Sequence, residues 1–396
     1  MDPAFGPAFS KDEYNARVVA TRHAMEARGL DLLIVTDPAN MGYLTGYDGW
    51  SFYVPQAVAV ALAEPWPIWM GRGMDANAAR LTTYLPDGMI VPYPDTYVHN
   101  PEAHALQFMA QELAARGLTK GRIGVEMDSF QYSAKAHAAL TAALPDAETV
   151  DATRLVNWIR LIKSPAEIAY LREAGRLAEL AMASGIAKVA VGVRQCDASA
   201  AIFQAQIAGT NDFGGDYPAI VPMLPSGRGT NTPHLTWSDA SFRENEATIL
   251  ELAGCRRRYH CPLARTVLLG EPIPRLAHVA EVLVEALETA IDTIRPGVAA
   301  EEVVAAWQKV VRPHGIEKDS RMGYSIGLNY PPDWGEGTIS LRPGDRTELQ
   351  AGMALHVMPG YWTDDWGIEI SESVLITETG AECLVHFPRE LAVKPV

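Results

Sequence analysis

The sequence predicts two successive domains, an α/β domain followed by an α+β domain, and three observations carry this. Residues 1–163 alternate helix-like and strand-like signals, as a layered sheet with helices requires. Residues 164–396 instead hold two long amphipathic helices, each followed by a shorter helical stretch, with strand-like segments between and after them. Between the halves, the run Trp158 to Pro165 ends in a helix-opening signature: Ser164 as N-cap, Pro165 at the first helical position and Glu167 in the first turn. The boundary therefore falls at Lys163, giving domains 1–163 and 164–396. With 396 residues, 48% of them apolar, the chain has material for two separate cores.

In chain order, Met1 to Phe9 has no periodicity and is read as an appended leader outside the fold. Ser10 to Arg28 carries apolar residues at helical spacing, and Gly29 closes it. Leu32 to Val35 reads as a short buried strand ended by Asp37-Pro38. Gln56 to Ala63, Pro67 to Met70 and Arg122 to Glu126 read as further strands, and Gln107 to Arg116 as a helix. In the second half, Pro165 to Val189 and Pro274 to Ile294 are the long helices, followed by Asp197 to Ala208 and Ala300 to Pro313. Ile220 to Met223, Thr248 to Leu252, Thr266 to Leu269, Met353 to Val357 and Ser373 to Thr377 are the expected strands, an antiparallel sheet for the helix pairs to cover.

Charge narrows the range of partners. The formal charge is −15, and the densest basic cluster is Arg256-Arg257-Arg258. Nucleic acid is excluded as a partner, because phosphate binding needs a concentrated positive surface. A small molecule or a protein is expected instead. The four cysteines form no CxxC pair, and no apolar run is long enough for a membrane span or a signal peptide. The expected setting is the cytoplasm, without membrane contact and with reduced thiols. Gly214-Gly215-Asp216 lacks the following Lys-Ser/Thr of a phosphate loop and reads as a turn.

Long motifs organise the rest: NMGYLTGYDGWSFYV (Asn40 to Val54), FGGDYPAIVPMLPSG (Phe213 to Gly227), TPHLTW (Thr232 to Trp237), ELAGCRRRYHCPLART (Glu251 to Thr266) and GYSIGLNYPPDWGEGTISLRPGDRTEL (Gly323 to Leu349). On these motifs the chain resembles the creatinase/prolidase/methionine aminopeptidase family, over nearly its whole length. Within that family it is similar to the ectoine-hydrolysing branch. The resemblance implies a creatinase-like α/β N-terminal domain, an α+β pita-bread C-terminal domain, a homodimer with shared active sites, and hydrolysis of a C–N bond.

The resemblance also locates five metal-ligand positions, and most are altered. The family's two Asp positions hold Glu251 and Pro262, the His of its Gly-His-x-x-Gly falls on Tyr324, and the Glu of its Met-Glu-Pro falls on Met358; the last Glu falls near Ser371 or Glu372. Divalent metals need several converging anionic or imidazole donors. No metal and no other cofactor are expected. The positions that grip substrate in creatinase fall on Ala264, Met358 and Val54, all apolar, while its catalytic His is kept as His234.

A cyclic amidine such as ectoine presents a cation delocalised around an electrophilic carbon, and a carboxylate elsewhere on the ring. Glu251 is the expected catalytic carboxylate, attacking that carbon or activating the water that does. His234 is the expected proton shuttle, since histidine exchanges protons near neutral pH. Arg342 or Arg346 is expected to grip the substrate carboxylate in bidentate fashion. Tyr324 and Trp50 are expected as walls, the latter from the partner subunit, and Phe52, His260, Asp333, Trp334 and Glu336 as further substrate contacts.

Each residue also has a structural reading. Glu251 would equally serve as ion-pair partner of Arg265 or Arg257, His234 as a loop residue, and His260 as hairpin packing. Arg342 and Arg346 would pair with Asp345 and Glu348 at the surface, and Trp50 and Phe52 would fill a core or dimer interface. Two other functions fit the same resemblance: a metal-dependent Xaa-Pro aminopeptidase or prolidase, and a non-catalytic binding module. A fold alone does not choose among them.

Overall fold

A computed structural model describes residues 6–396, and the chain divides after Arg160 into two compact units. The leader expected at Met1 to Phe9 lies outside the described residues for 1–5. The expectation fails at Phe9, which is buried, with the Arg17 guanidinium 4.1 Å from its ring centre.

The first unit is built on a six-stranded mixed sheet. Its elements run α1 (Lys11–Ala27), β1 (Leu32–Val35), α2 (Pro38–Thr45), β2 (Ala57–Ala61), β3 (Ile68–Arg72), α3 (Ala76–Thr82), β4 (Ile90–Tyr93), α4 (Ala105–Ala115), β5 (Arg122–Val125), α5 (Ala134–Ala143), β6 (Glu148–Asp151) and α6 (Leu155–Arg160). The strand order is β4-β3-β2-β1-β5-β6, with β1 antiparallel to β2 and parallel to β5. The Ser10 hydroxyl accepts from the Glu13 amide and starts α1. Helix α2 is absent from the sequence reading. Asp37 not only ends β1 but caps this helix, accepting from the Ala39 and Asn40 amides, with Pro38 at the first position.

The second unit begins with α7 (Pro165–Lys188), where Ser164 and Glu167 form a reciprocal capping box, and α8 (Gln195–Ala208). Then follow β7 (Ala247–Arg256), β8 (Tyr259–Leu269), α9 (Pro274–Thr293), α10 (Ala300–Val311), β9 (Gly323–Ile326), β10 (Gly335–Leu341), β11 (Ala354–Val357), β12 (Tyr361–Trp362), β13 (Gly367–Ile368), β14 (Glu372–Ile376), β15 (Ala381–Cys383) and β16 (Ala392–Lys394). A five-stranded sheet, β10-β9-β11-β14-β15, stands beside a three-stranded one, β16-β8-β7. Hydrogen bonds stitch them together: Ser371 N to Ala264 O (3.1 Å) and Ser373 Oγ to Pro262 O (2.6 Å). The strand expected at Ile220 to Met223 is reduced to a single bridge from Met223 to Glu251.

Helix α7 lies directly on β7 because of Gly254. A Cβ there would stand 1.9 Å from the Ala174 carbonyl oxygen, so no larger residue permits this approach. The β7–β8 hairpin is continuous from Ala247↔Leu268 to Arg256↔Tyr259, and its two turn residues, Arg257 and Arg258, both have positive φ. That pair of left-handed residues is the geometry of a two-residue hairpin turn matched to strand twist. Cys196, Cys255, Cys261 and Cys383 are all free thiols, and among the described residues no helix is long and apolar enough to cross a membrane.

Candidate active site

Glu251 lies in the middle of β7, opposite Ala264 on β8, and is 4% exposed. Its free edge is covered by Met223, with which it exchanges both backbone hydrogen bonds (3.0 and 2.8 Å). The chain then turns through 227–231 and returns, Leu224 N donating to Leu235 O (3.2 Å). Thr230 and Asn231 fasten this loop to residues 364–367: Thr230 Oγ1 accepts from Gly367 N, and Asn231 Nδ2 donates to the Asp364 carbonyl. The result places His234 on the rim of a cavity of about 770 Å³ whose wall includes Glu251.

Tyr324, Asp333, Trp334, Arg321, Met358 and Trp362 line the same cavity. Tyr324 belongs to β9, Asp333 and Trp334 to the loop before β10, and Met358 follows β11. Of the expected site residues, the structure therefore brings together Glu251, His234, Tyr324, Asp333 and Trp334. Tyr324 is held by a buried hydrogen-bonded chain. Its hydroxyl accepts from Trp334 Nε1 (2.7 Å) and lies 3.1 Å from His356 Nδ1, and His356 Nε2 is 2.7 Å from Ser371 Oγ.

Four other expectations are corrected. Arg342 and Arg346 are exposed on the turn after β10, outside the cavity, with Arg346 3.6 Å from Glu301; a polar Arg-Pro-Gly-Asp-Arg turn prefers water to a binding wall. Glu336 is buried against Lys163 Nζ (2.7 Å), so its charge is already matched inside the unit. His260 is buried hairpin packing: its Nε2 accepts from the Ala219 amide (2.8 Å), and burial lowers its pKa to about 3, which keeps it neutral. Trp50 and Phe52 lie in the first unit, with ring centres 5.1 Å apart and Trp50 exposed. Of the two ion-pair partners considered for Glu251, Arg265 bonds Glu372 at 2.6 Å instead.

Three site residues escaped the sequence reading. Arg321 lines the cavity with its guanidinium 4.2 Å from the Tyr324 ring centre. Lys318 and Glu369 are the charges that act on Glu251 from outside the cavity lining. Glu369 is pinned to β8 by a two-way clamp, its amide donating to Thr266 Oγ1 and its carbonyl accepting from it. Lys318 Nζ rests over Trp362, 4.5 Å from the ring centre. Neither that nitrogen nor either Glu369 carboxylate oxygen has a hydrogen-bond partner among the described residues. The only available signals were Lys318 shortly before the Gly323 motif and Glu369 in a mostly apolar stretch, neither of which matches a family motif.

The charges in this cluster are strongly coupled. Burial, reinforced by the neighbouring Glu369 charge, pushes Glu251 well above the usual carboxylate range, with Lys318 opposing and Asp333 adding to the rise. Burial pushes Glu369 up to about 7 and lowers Lys318 to about 8. A raised carboxylate stabilises the fold below its unfolded pKa of 4.5, and that contribution is lost as pH rises towards about 7. A depressed lysine contributes above its unfolded value of 10.5 and loses it as pH falls through about 8. Near pH 7.5 both groups are therefore costs to stability. The double variant Lys318→Met with Glu369→Gln is expected to raise the urea midpoint at that pH, because it removes two buried charges that lack hydrogen-bond partners among the described residues. A lower urea midpoint than wild type at pH 7.5 would refute this.

The residues do not fit a metal. Pro262 and Met358 offer no hard donor, the Tyr324 hydroxyl is engaged by Trp334 and His356, and Glu372 bonds Arg265 and Arg389. Among the described residues no three His, Cys, Asp or Glu side chains are grouped so as to hold a metal ion. The arrangement offers instead one buried carboxylate on a cavity wall, a histidine on its rim, Arg321 on the same wall and the Lys318 charge acting on the carboxylate.

Comparison with known proteins gives the same domain order. Residues 17–162 match the creatinase/prolidase N-terminal domain and residues 169–378 match metallopeptidase family M24. The chain is 47% identical to an uncharacterized hydrolase/peptidase, y4tM, of Sinorhizobium fredii, covering 98% of both. It is 46% identical to a protein of Halomonas elongata named ectoine hydrolase, again over 98% of each. Among solved structures, the dipeptidase PepE of Mycobacterium ulcerans superposes with a TM-score of 0.81 at 26% identity, over 98% of this chain and 100% of that one.

Proposed function

The chain belongs to metallopeptidase family M24, with a creatinase/prolidase N-terminal domain ahead of it, and on that premise we propose that it is a metal-independent hydrolase opening the cyclic amidine ring of ectoine. The observation that carries this reading is Glu251, a buried carboxylate on the wall of a cavity shared with Tyr324 and Met358, two positions that the resemblance assigns to metal donors. The resemblance to a protein named ectoine hydrolase over 98% of both chains supports the choice of substrate.

In the reaction, Glu251 offers negative charge to the amidinium and delivers oxygen to its central carbon, by attacking directly or by deprotonating water. One ring C–N bond then breaks; on the direct route the substrate carbon is left bonded to Glu251, and a water deprotonated by His234 attacks that adduct and releases the carboxylate, so one water is consumed on either route. The departing nitrogen takes a proton from His234, and the carbon becomes the carbonyl of an N-acetyl-2,4-diaminobutyrate. Entry of the substrate cation favours the ionised form of Glu251, which burial otherwise holds back. Arg321, on the same wall, takes the role first expected of Arg342 or Arg346, pairing with the substrate carboxylate.

The test is a side-by-side turnover assay by mass spectrometry with ectoine, hydroxyectoine, creatine and an Xaa-Pro dipeptide. Ectoine is expected to be consumed, and exhaustive chelation is expected to leave the rate unchanged. Cleavage of the dipeptide alone, or activity lost to chelator and restored by manganese, zinc or iron, would overturn the reading.

Assembly is part of the proposal. The exposed aromatics Trp50 and Tyr53 belong to a surface that, in a homodimer, would complete the partner's site. Mixing an inactive Glu251→Gln chain with an inactive Trp50→Ala chain is then expected to restore part of the activity. Verified heterodimers with no recovery would exclude shared sites.

A further inference from the structure

We infer that Tyr324 is a catalytic hydrogen-bond donor into the cavity, and that His356 and Ser371 hold it in that role by fixing which way its proton points. The inference rests on the proposed ring-opening reaction and assigns it a further group. It follows from accounting for every proton in a buried chain. Ser371, Tyr324, Trp334 and His356 are 0%, 6%, 0% and 0% exposed, so water does not supply missing partners.

Ser371 Oγ accepts the Ala264 amide at 2.7 Å, and among the described residues its own proton has one acceptor in range, His356 Nε2 at 2.7 Å. His356 is neutral, since burial lowers its pKa to about 3, and a neutral imidazole carries one proton on one nitrogen. If Ser371 donates to Nε2, that proton sits on Nδ1 and is donated to the Tyr324 oxygen, 3.1 Å away. The same oxygen already accepts from Trp334 Nε1 at 2.7 Å. Its two acceptor positions are then filled from behind, and the phenolic proton is left for the cavity, whose wall Tyr324 shares with Glu251. The opposite tautomer would leave the buried Ser371 proton with no acceptor and turn the Tyr324 proton away from substrate. Leaving a buried donor unmet is the costlier arrangement.

In this role the phenol keeps its proton throughout. It donates to the oxygen that becomes bonded to the amidine carbon, strengthening as that oxygen becomes the product carbonyl, and no bond to hydrogen is broken. Burial and the Glu251 charge push the Tyr324 pKa further up, consistent with a donor that does not ionise.

Two measurements test this. Nitrogen-15 NMR of histidine-labelled protein, with the His356 signals assigned by difference from a His356→Asn variant, needs no substrate. Protonated Nδ1 and bare Nε2 are expected, and protonated Nε2 overturns the inference. In kinetics with ectoine, Tyr324→Phe is expected to lower kcat by about 10²-fold with KM little changed, the size of losing one such donor. His356→Asn, whose amide can still donate to Tyr324, is expected to retain more kcat than His356→Leu. Wild-type kcat in Tyr324→Phe, or equal losses in the two His356 variants, refutes the assignment. Absence of ectoine turnover in the wild type would instead refute the proposed reaction while the NMR result stands by itself.

Discussion

Glu251→Gln is expected to lose at least ~10²–10⁴-fold in ectoine turnover, the usual worth of acid–base assistance. The substitution keeps size and hydrogen-bonding capacity but removes the charge, so the residue neither attacks carbon, nor deprotonates water, nor offsets the amidinium. Its position sharpens the expectation. Glu251 is 4% exposed on a strand hydrogen-bonded along both edges, so no neighbouring carboxylate easily swings into its place. Glu369, whose charge acts on Glu251, is fixed through its backbone to Thr266. Steady-state turnover of the purified variant is the measurement, and a wild-type rate would overturn both versions of the Glu251 mechanism.

His234→Ala is expected to cost a similar ~10²–10⁴-fold, through a different step. The first attack stays geometrically possible, but the departing nitrogen lacks its proton. Because His234 sits on the exposed rim of the cavity while Glu251 lies on a buried strand, the variant should fold normally and fail late. That makes it the natural trap. If Glu251 attacks directly, the peptide containing it should carry added mass after exposure to ectoine; if it activates water, no adduct should form. Undiminished turnover in His234→Ala would remove the histidine from the mechanism.

Much of the architecture was legible because it rests on local rules. The Ser164/Pro165/Glu167 start of α7, the helical spacing of α1 with Gly29 after it and the apolar run of β1 are each written within a few neighbouring residues. Helix α2 was missed because Asp37-Pro38 reads equally as a strand end or a helix start, and only its full burial against the first unit's core decides between them. Short strands such as β12 and β13, two residues each, carry no periodic signal at all.

The sequence by itself determined the order of domains, and it put forward Pro262, Tyr324 and Met358 as altered metal-donor positions and Glu251 and His234 as candidates, because those readings depend on residue identity within contiguous motifs. Tertiary structure alone decided which charges meet. Arg342 and Arg346 look suited to a carboxylate but face water, whereas Arg321, Lys318 and Glu369, unremarked in the chain, converge with Glu251 from two other segments. Likewise, the hydrogen-bonded chain joining Trp334, Tyr324, His356 and Ser371 spans four segments. Electrostatic and hydrogen-bond partnerships depend on distance and burial in space, and sheet pairing brings together residues that no spacing along the chain relates.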